Sequence, residues 1–473
     1  MEIHVSLVGR ANLRAEIYRQ LRQAILDGRL RSGEALPPTR ELAQRLAVAR
    51  ATVVVAYDRL AREGFVTSRV GAGTFVTAFA TPLPRRRRKA RRGALAAREI
   101  WSAVWLPRVF ARQATYEFRA GLPDAALFPH AAWQRLMVRE LRAQAGASGV
   151  YGHPAGHAAL REAVAHRVGL ARGVHCTADD VTITNGTQQA VDVIARALIG
   201  PGDVVAVEDP GYLPIRLLLR SLGARVMSVP VDAEGLVVRA LPPRTRLVLV
   251  TPSHQFPLGV TMSLGRRLEL LQWAESHRAA IVEDDYDSEF RFGGRPIEPL
   301  HTLDTAGRVI YVGSFSKTML PTLRLGFVVA PAAIQDAVQR AKYLVDWHSS
   351  LPAQAALARF IEDGGFARHI RKMAGVYEAR HELVVRTLAA DFARHLETVP
   401  STVGLHVAAL APRASVATFD RVVRRASARG VEVLPLSMFS PRRPLAGLVI
   451  GFGAIATAQI PEGLRRLRAC FGR

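Results

Sequence analysis

The chain has 473 residues, is 49% apolar and 22% charged, and carries a formal net charge of +24, enough for two or three domains and a large buried core. No apolar run reaches membrane-spanning length, and the opening MEIHVSLVGR lacks the apolar stretch of a signal peptide. Two cysteines, Cys176 and Cys470, make neither a disulfide framework nor a metal-ligand spacing, so a cytoplasmic protein without a metal centre or membrane partner is expected.

The charge is uneven. Residues 1–93 hold nineteen Arg and Lys against seven Asp and Glu, about half of the whole excess in a fifth of the chain. Such a concentration points to a polyanion, most simply double-stranded DNA. The competing reading is an arginine-rich composition spread over solvated faces.

Leu13, Ile17, Leu21 and Ile25 recur at helical spacing, which predicts a helix over 13–26 stopped near Gly28. Pro37-Pro38-Thr39 predicts a short second helix with Thr39 as N-cap and Leu42, Ala43 and Leu46 inward. After the turn Ala47-Val48-Ala49, a third helix is expected over about 50–63, with Val53, Ala56, Tyr57 and Leu60 inward and Gly64 at its end. Residues 65–68 and 74–77 alternate like strands joined by Arg69-Val70-Gly71-Ala72-Gly73. Three helices and a glycine-tipped hairpin over 11–77 describe a winged helix-turn-helix, an α+β unit.

Residues 78–115 read as a linker. Pro82 and Pro84 precede the basic run 85–92, whose like charges repel and do not fold. It is either a solvated spacer or a phosphate contact, and Trp101 and Trp105 would dock on a neighbouring surface. From 116 to 473, short apolar strands at 181–184, 204–207, 247–250, 280–283 and 309–312 alternate with helical stretches such as 188–198 and 264–277. That pattern argues for a parallel or mostly parallel α/β sheet. A smaller α+β subdomain is expected from about 350 to 473.

Lysine is nearly absent. Of 64 Lys and Arg residues, four are lysine: Lys89, Lys317, Lys342 and Lys372. Lys317 closes Gly313-Ser314-Phe315-Ser316-Lys317, and Arg324 follows seven residues later. Arginine cannot replace lysine where an amine must lose its proton and attack a carbonyl, so a retained lysine in a Ser/Gly-rich turn suggests chemistry at that amine. Pyridoxal 5′-phosphate requires an amine, a carboxylate for its ring nitrogen, a phosphate cradle and an aromatic face. Each is present near a strand end, where open α/β sheets bind ligands. Lys317 is the amine, and Glu283-Asp284-Asp285-Tyr286 follows a strand and offers the carboxylate. Gly186 and Thr187 open a helix whose free N–H groups suit a phosphate. Ser314, Ser316 and Arg324 would finish the cradle, and Tyr212 would stack on the ring. The bland alternatives are a surface lysine, a capped acidic loop and a packed turn tyrosine.

In this order the elements resemble the fold-type I pyridoxal-phosphate aminotransferases, with a large and a small subdomain. The resemblance covers about 117–473 and rests on Tyr151-Gly152-His153-Pro154-Ala155-Gly156, Asn185-Gly186-Thr187-Gln188, Asp209-Pro210-Gly211-Tyr212, Thr251-Pro252-Ser253-His254-Gln255-Phe256-Pro257-Leu258-Gly259, Glu283-Asp284-Asp285-Tyr286-Asp287-Ser288-Glu289-Phe290 and Ser314-Phe315-Ser316-Lys317. The last three resemble the MocR/GabR subfamily of GntR-type regulators, in which a winged helix precedes an aminotransferase-like domain. Pro37-Pro38-Thr39-Arg40-Glu41-Leu42-Ala43, Ala51-Thr52-Val53-Val54-Val55-Ala56-Tyr57 and Gly71-Ala72-Gly73-Thr74-Phe75-Val76 are similar to its DNA-binding half.

The resemblance implies a Schiff base on Lys317, Asp284 at the pyridine nitrogen and Tyr286 at the phenolic oxygen. Gly186, Thr187, Ser314, Ser316 and Arg324 would hold the phosphate, and Tyr151 would reach a partner subunit's phosphate in a homodimer. His254 and Phe256 occupy the loop where ordinary aminotransferases place a ring-contacting asparagine, which this chain lacks. It also lacks the usual carboxylate-binding arginine before the last apolar strand, Gly447-Leu448-Val449-Ile450-Gly451-Phe452. Arg442 and Arg443 read either as stand-ins from the preceding loop or as solvated loop charges; the effector then lacks an α-carboxylate in the usual place, or another arginine such as Arg216 reads it. On the DNA side, Arg50 and Thr52 (with Arg59 as a weaker candidate) lie on the third helix, Arg40 on the second, and Arg69, Gly71 and Thr74 on the wing. The implied function is a transcription regulator, nucleoid-associated when DNA-bound, that senses a small amine, amino acid or B6 vitamer by letting it displace Lys317 as an external aldimine. The alternatives are a working aminotransferase with an appended DNA-binding domain, and an inert dimerisation scaffold.

Overall fold

The computed structural model describes residues 12–69, 71–77, 97–104, 114–145, 149–293 and 298–471. Contacts divide the chain into two units between Ala97 and Arg98. Val70, the basic run 85–92 and Trp105 lie outside the described residues; Trp101 is exposed, and Arg98 donates to the Ser221 carbonyl at 2.7 Å.

In the first unit, α1 (Leu13–Leu26) buries Ile17, Tyr18, Leu21, Ala24 and Ile25, the stripe its spacing predicts. Helix α2 (Thr39–Arg45) buries Leu42 and Ala43. Helix α3 (Arg50–Arg62) buries Val53, Ala56, Tyr57 and Leu60. Thr39 is not the N-cap of α2. Pro38 takes that place with φ −52°, and its carbonyl accepts the Leu42 N–H at 3.0 Å. Proline supplies the extended entry, so no hydroxyl cap is needed and Thr39 becomes the first helical residue. The hairpin of β1 (Val66–Arg69) and β2 (Gly73–Val76) is antiparallel, with Val66 opposite Val76, both buried, and Arg69 opposite Gly73. The ladder thus runs one residue nearer the tip than expected, because Gly73 accepts a φ of 113°.

The second unit opens with β3 (Tyr116–Glu117), α4 (His130–Ala145) and α5 (Ala158–Arg172). Its main sheet contains β4 (Val181–Thr184), β5 (Val204–Asp209), β6 (Arg225–Asp232), β7 (Gly235–Leu236), β8 (Thr245–Val250), β9 (Ala280–Asp285), β10 (Val309–Ser314) and β11 (Gly326–Val329). Their order is β4-β11-β10-β9-β8-β5-β6-β7. The central pairs are parallel, while β11 runs antiparallel to β10 and β4, and β7 to β6. Helices α6 (Thr187–Leu198), α7 (Leu213–Ser221), α8 (Leu264–His277), the short α9 (Leu300–Leu303) and α10 (Ala332–Asp346) connect the strands. Strands β6 and β11 escape sequence reading: Pro230 interrupts the first, and the second follows only a single 3-10 turn at Pro321–Leu323.

Helix α11 (Leu351–Glu362) packs Leu357 and Phe360 with Val164, Ile183 and Tyr311 of the large layer. The division of the two subdomains therefore falls inside α12 (Gly365–Asp391), later than residue 350. Phe366 of α12 joins the large-layer core, and Tyr377, Val384 and Leu388 join the other. The small sheet is built from β12 (Glu397–Thr398), β13 (His406–Leu410), β15 (Leu434–Pro435) and β16 (Gly447–Gly451), in the order β12-β13-β16-β15, with α13 (Val416–Ala428) and α14 (Ile460–Arg468) against it. Strand β14 (Val431–Glu432) pairs in parallel with β3, so residues 116–117 belong with the C-terminal layer. Among the described residues no helix is long and apolar enough to cross a membrane.

Candidate functional site

Strands β4, β9 and β10 run in one direction and end at the same edge of the sheet, at Thr184, Asp285 and Ser314, and the chemistry-bearing residues follow those ends. Glycines set the spacing. A Cβ on Gly326 would lie 2.9 Å from the Gly186 Cα, and one on Gly313 would lie 2.2 Å from the Phe327 ring. These close approaches press β11 onto the turn that opens α6. They bring Arg324 over that turn, where its guanidinium donates to the Asn185 carbonyl at 2.7 Å. Arg324 adopts a left-handed φ of 51°, a strained conformation for a residue with a Cβ. A side chain on Gly186 would begin 3.3 Å from the same guanidinium and fill the space in front of it. Thr187 stands at the first turn of α6, and Ser314 Oγ accepts the Ser316 N–H at 3.1 Å. A guanidinium, three hydroxyls and a helix N-terminus are thus gathered in one cradle.

Lys317 is half-buried, and its Nζ donates to the Gly121 carbonyl at 2.9 Å. Burial pushes its ammonium pKa down and Arg324 adds to that, while Asp287 and Asp284 oppose it. The net fall favours the neutral, nucleophilic amine. Gly121, with φ 83°, is a site residue that the sequence did not single out; a Cβ there would sit 3.2 Å from Nζ.

The two adjacent aspartates differ in their surroundings. Asp285 binds Arg172 Nε at 2.9 Å and the Tyr311 hydroxyl at 2.6 Å. Burial alone would raise its pKa, but these partners hold it below the usual carboxylate range. Asp284 accepts only a long bond, 3.4 Å, from Thr187 Oγ1 among the described residues. Burial and then the Asp285 charge push its carboxyl up to about 7. The Lys317 ammonium and the Thr187 bond offset this only in part, and a buried carboxyl so placed is a ready counter-ion for a protonated ring nitrogen.

Tyr212 caps α7, packs edge-on against Phe256 at 5.8 Å, and lies within the electrostatic reach of Asp284 and Arg324. The Tyr286 hydroxyl lies 3.0 Å from His254 Nδ1, and its ring meets those of His254 and Phe256. Tyr151 is instead 72% exposed and stacked on Trp347 at 4.2 Å. Arg216 is buried and bonded to the Ser228 hydroxyl and, at 3.2 Å, to the Glu208 carbonyl. Arg442 and Arg443 are exposed. The other buried arginines are also engaged: Arg119 with Glu117, Arg267 with the carbonyls of Met262, Glu298 and Pro252, and Arg380 with Asp124.

In the first unit, Arg40, Arg50, Arg69 and Gly71 are exposed, and Thr52 and Thr74 are half-buried. Arg50, the first residue of α3, donates to Thr39 Oγ1 at 3.3 Å, which holds it where α2 and α3 begin. The Arg69 guanidinium lies 5.2 Å over the Phe75 ring on the wing, and Thr74 pairs with Ser68 across the hairpin at 3.1 Å. Arg59, by contrast, sits 4.0 Å over the Tyr18 ring and pairs with Glu63 at 3.0 Å.

The fold and site define an aminotransferase-like domain preceded by a winged helix-turn-helix. Residues 13–76 match the bacterial regulatory proteins of the gntR family, and residues 123–440 match aminotransferase class I and II. The chain is 38% identical to the probable rhizopine catabolism regulatory protein MocR of Rhizobium meliloti, over 96% of this chain and 93% of that one. It is 34% identical to the HTH-type transcriptional regulator TauR of Rhodobacter capsulatus, over 97% and 96%, and 30% identical to the HTH-type pyridoxine biosynthesis transcriptional regulator PdxR of Corynebacterium glutamicum, over 93% and 91%. Among solved structures, kynurenine aminotransferase of Pyrococcus horikoshii superposes with a TM-score of 0.70 at 27% identity, over 81% of this chain and 97% of that one. LysN of Thermus thermophilus, an alpha-aminoadipate aminotransferase solved with N-(5'-phosphopyridoxyl)-L-leucine, gives 0.70 at 27%, over 78% and 98%. The chain belongs to the MocR-type regulators of the GntR family: it is a helix-turn-helix transcriptional regulator with an aminotransferase class I/II domain.

Proposed function

We propose that this regulator holds pyridoxal 5′-phosphate on Lys317 and uses it to sense a small amine, amino acid or B6 vitamer. The observation that carries the reading is the setting of Lys317: a scarce lysine with a depressed pKa, beside a buried carboxyl that no arginine bonds among the described residues and a cradle of hydroxyls and guanidinium. Bound there, the cofactor would supply a carbonyl carbon on which primary amines exchange. Gly186, Thr187, Ser314, Ser316 and Arg324 would bind its phosphate, Asp284 its ring nitrogen, Tyr286 its phenolic oxygen and Tyr212 its face. A Lys317 not committed to the cofactor would have the Gly121 carbonyl as the partner of its Nζ, as here. Exchange of Lys317 for an amine moves DNA affinity only if the two conformations it selects differ in that affinity. A homodimer would present two winged helices to paired half-sites, with Tyr151 as the candidate reach to the partner's phosphate.

The engaged state of every buried arginine among the described residues favours sensing over general amino-acid turnover. The site does not hold a free, buried guanidinium for an α-carboxylate; Arg442, Arg443 and Arg216 remain the candidates for any weaker recognition. A working aminotransferase is the second reading, supported by the intact Lys317 and Asp284 pair. Sustained keto-acid release from an amino donor by the cofactor-loaded protein would establish it; an absorbance change with amines that stops without continued release supports the sensor.

On the DNA side, Arg50, Arg40, Thr52, Arg69, Gly71 and Thr74 form the proposed face. Arg50→Ala is expected to weaken operator binding by about 5- to 150-fold, the ~1–3 kcal/mol of a base-reading arginine, when measured by fluorescence anisotropy at fixed salt. Arg59→Ala, which loses the Tyr18 and Glu63 contacts, is expected to change thermal stability more than DNA affinity.

A further inference from the structure

A buried pair beside Tyr286 has no part in the roles above. His254 and Asp287 are 1% and 2% exposed, and His254 Nδ1 lies 2.9 and 3.0 Å from the two Asp287 oxygens and 3.0 Å from the Tyr286 hydroxyl. One ring nitrogen cannot satisfy both neighbours as an acceptor. A bare Nδ1 would accept the Tyr286 proton while facing the acceptor-only carboxylate; a protonated Nδ1 donates to the carboxylate and leaves the tyrosine proton free. Two carboxylate oxygens within 3.0 Å decide for the protonated Nδ1.

The opposite nitrogen decides the charge. His254 Nε2 is buried with no hydrogen-bond partner, so a proton there would be an unpaired buried donor on a buried cation. These contacts favour the Nδ1–H tautomer with Nε2 bare. The packing leaves no alternative placement. Gly404 has φ 85°, and a Cβ on it would lie 2.2 Å from His254 Nδ1 and 2.3 Å from Asp287 Oδ2. Gly259, with φ 83°, closes the other edge; its Cβ would lie 3.3 Å from Nε2. The His406 ring lies 4.6 Å from the His254 ring, tilted by 40°, with its own Nε2 on the Pro257 carbonyl at 3.1 Å. His254, Asp287 and His406 are close enough to invite a metal, but His254 Nδ1 is bonded to Asp287 and His406 Nε2 to the Pro257 carbonyl.

We propose that His254 and Asp287 form a positioning dyad, in which Asp287 fixes the His254 tautomer so that the Tyr286 proton is held out toward the cofactor's phenolic oxygen, while Asp287 keeps one net negative charge near Lys317. The second part rests on the cofactor reading; the first does not. Burial and the Asp287 charge raise the Tyr286 phenol well above its ordinary value, so it acts as a donor. The charged and titratable groups acting on Lys317 are Asp287, Asp284 and Arg324, with His406 also in range. Those around His254 are Asp287, Tyr286, His406 and His381. Removing the Asp287 charge withdraws the strongest support for a protonated nitrogen at position 317.

Nitrogen NMR of the cofactor-free wild-type protein tests the first part directly. The expected result is a neutral His254 carrying its proton on Nδ1 at pH 7; an imidazolium, or a proton on Nε2, overturns the dyad whether or not the cofactor binds. The second part is read from the pH titration of the absorbance of the loaded protein. Asp287→Asn is expected to lower the midpoint by about one unit or more, and Asp287→Glu to restore part of it. In a Tyr286→Phe background, Asp287→Asn is expected to shift the midpoint less, because the tyrosine's share is already gone. An unchanged midpoint in Asp287→Asn overturns the coupling. Absence of any cofactor absorbance in wild type overturns the cofactor reading and leaves the NMR result to stand alone.

Discussion

A Lys317→Ala variant supplied with pyridoxal 5′-phosphate, reduced with borohydride and unfolded is expected to carry no cofactor above background, whereas the parent chain carries it on Lys317. The effect is close to all-or-none because only an amine with a free lone pair forms the reducible bond. Lys317→Arg keeps the positive charge and is expected to fail equally, since a guanidinium does not deprotonate in a protein. The other lysines do not compensate. Lys342 is fully buried and bonded to Asp346 at 2.5 Å, Lys372 is exposed and sets only a surface background, and Lys89 belongs to the basic run of the sequence, outside the aminotransferase-like domain. Mass spectrometry of the digested chain reads the result. The phosphate cradle survives in both variants, so reversible cofactor binding is expected to persist in a weakened form.

Asp284→Asn is expected to move cofactor affinity and cofactor-free stability in opposite directions. In the loaded protein it removes the anion opposite a protonated ring nitrogen. Leaving one partner of a buried pair uncompensated costs about 3–5 kcal/mol, or roughly two to three orders of magnitude in Kd. In the cofactor-free protein Asp284 is itself only partly compensated, by Lys317 and Thr187, and its carboxyl is raised to about 7. A raised carboxyl keeps its proton in the folded state over a range where the unfolded chain has lost it. The resulting penalty is therefore absent at low pH and grows as pH rises from the ordinary carboxylate range through about 7. Asparagine removes that penalty. The variant is expected to melt higher than wild type at pH 8, by on the order of 1–4 kcal/mol of stability, and to show little gain at pH 4. Glu208 and Glu283, also raised to about 7 by burial, give both proteins the same background trend, so the difference between the two melting curves is the quantity to read.

Local periodicity carried much of the fold. The four inward residues of α3 and the full extent of α8 follow from apolar spacing, which reports which face is buried. What local pattern does not report is which strands meet. The pairing of β3 with β14 joins residues more than three hundred positions apart, and the antiparallel β11 is placed by glycine contacts with Gly186 and Gly313. The same division holds at the site. Lys317, Asp284, Gly186 and Arg324 are recognisable because each residue type serves one requirement of the chemistry. Gly121 is not, because its role is a carbonyl that meets Lys317 across 196 positions. The resemblance names Asp284 and not Asp285, and the physical difference between the two is visible only in the structure. Adjacent strand residues face opposite sides, and Asp285 turns to Arg172 and Tyr311. Asp287 stands in the same acidic run, yet its partner His254 comes from another loop, so a sequence shows only a cluster where the structure shows a dyad.

The central claim is that an amine exchanged at Lys317 is reported to DNA. The direct test is the operator Kd of the cofactor-loaded protein at constant salt, measured against a panel of amines, amino acids and B6 vitamers and repeated with Lys317→Arg. A compound that alters the cofactor absorbance is expected also to change the Kd by about 5- to 150-fold, and the change is expected to disappear in Lys317→Arg. A compound that saturates the absorbance change while the operator Kd stays the same would contradict it.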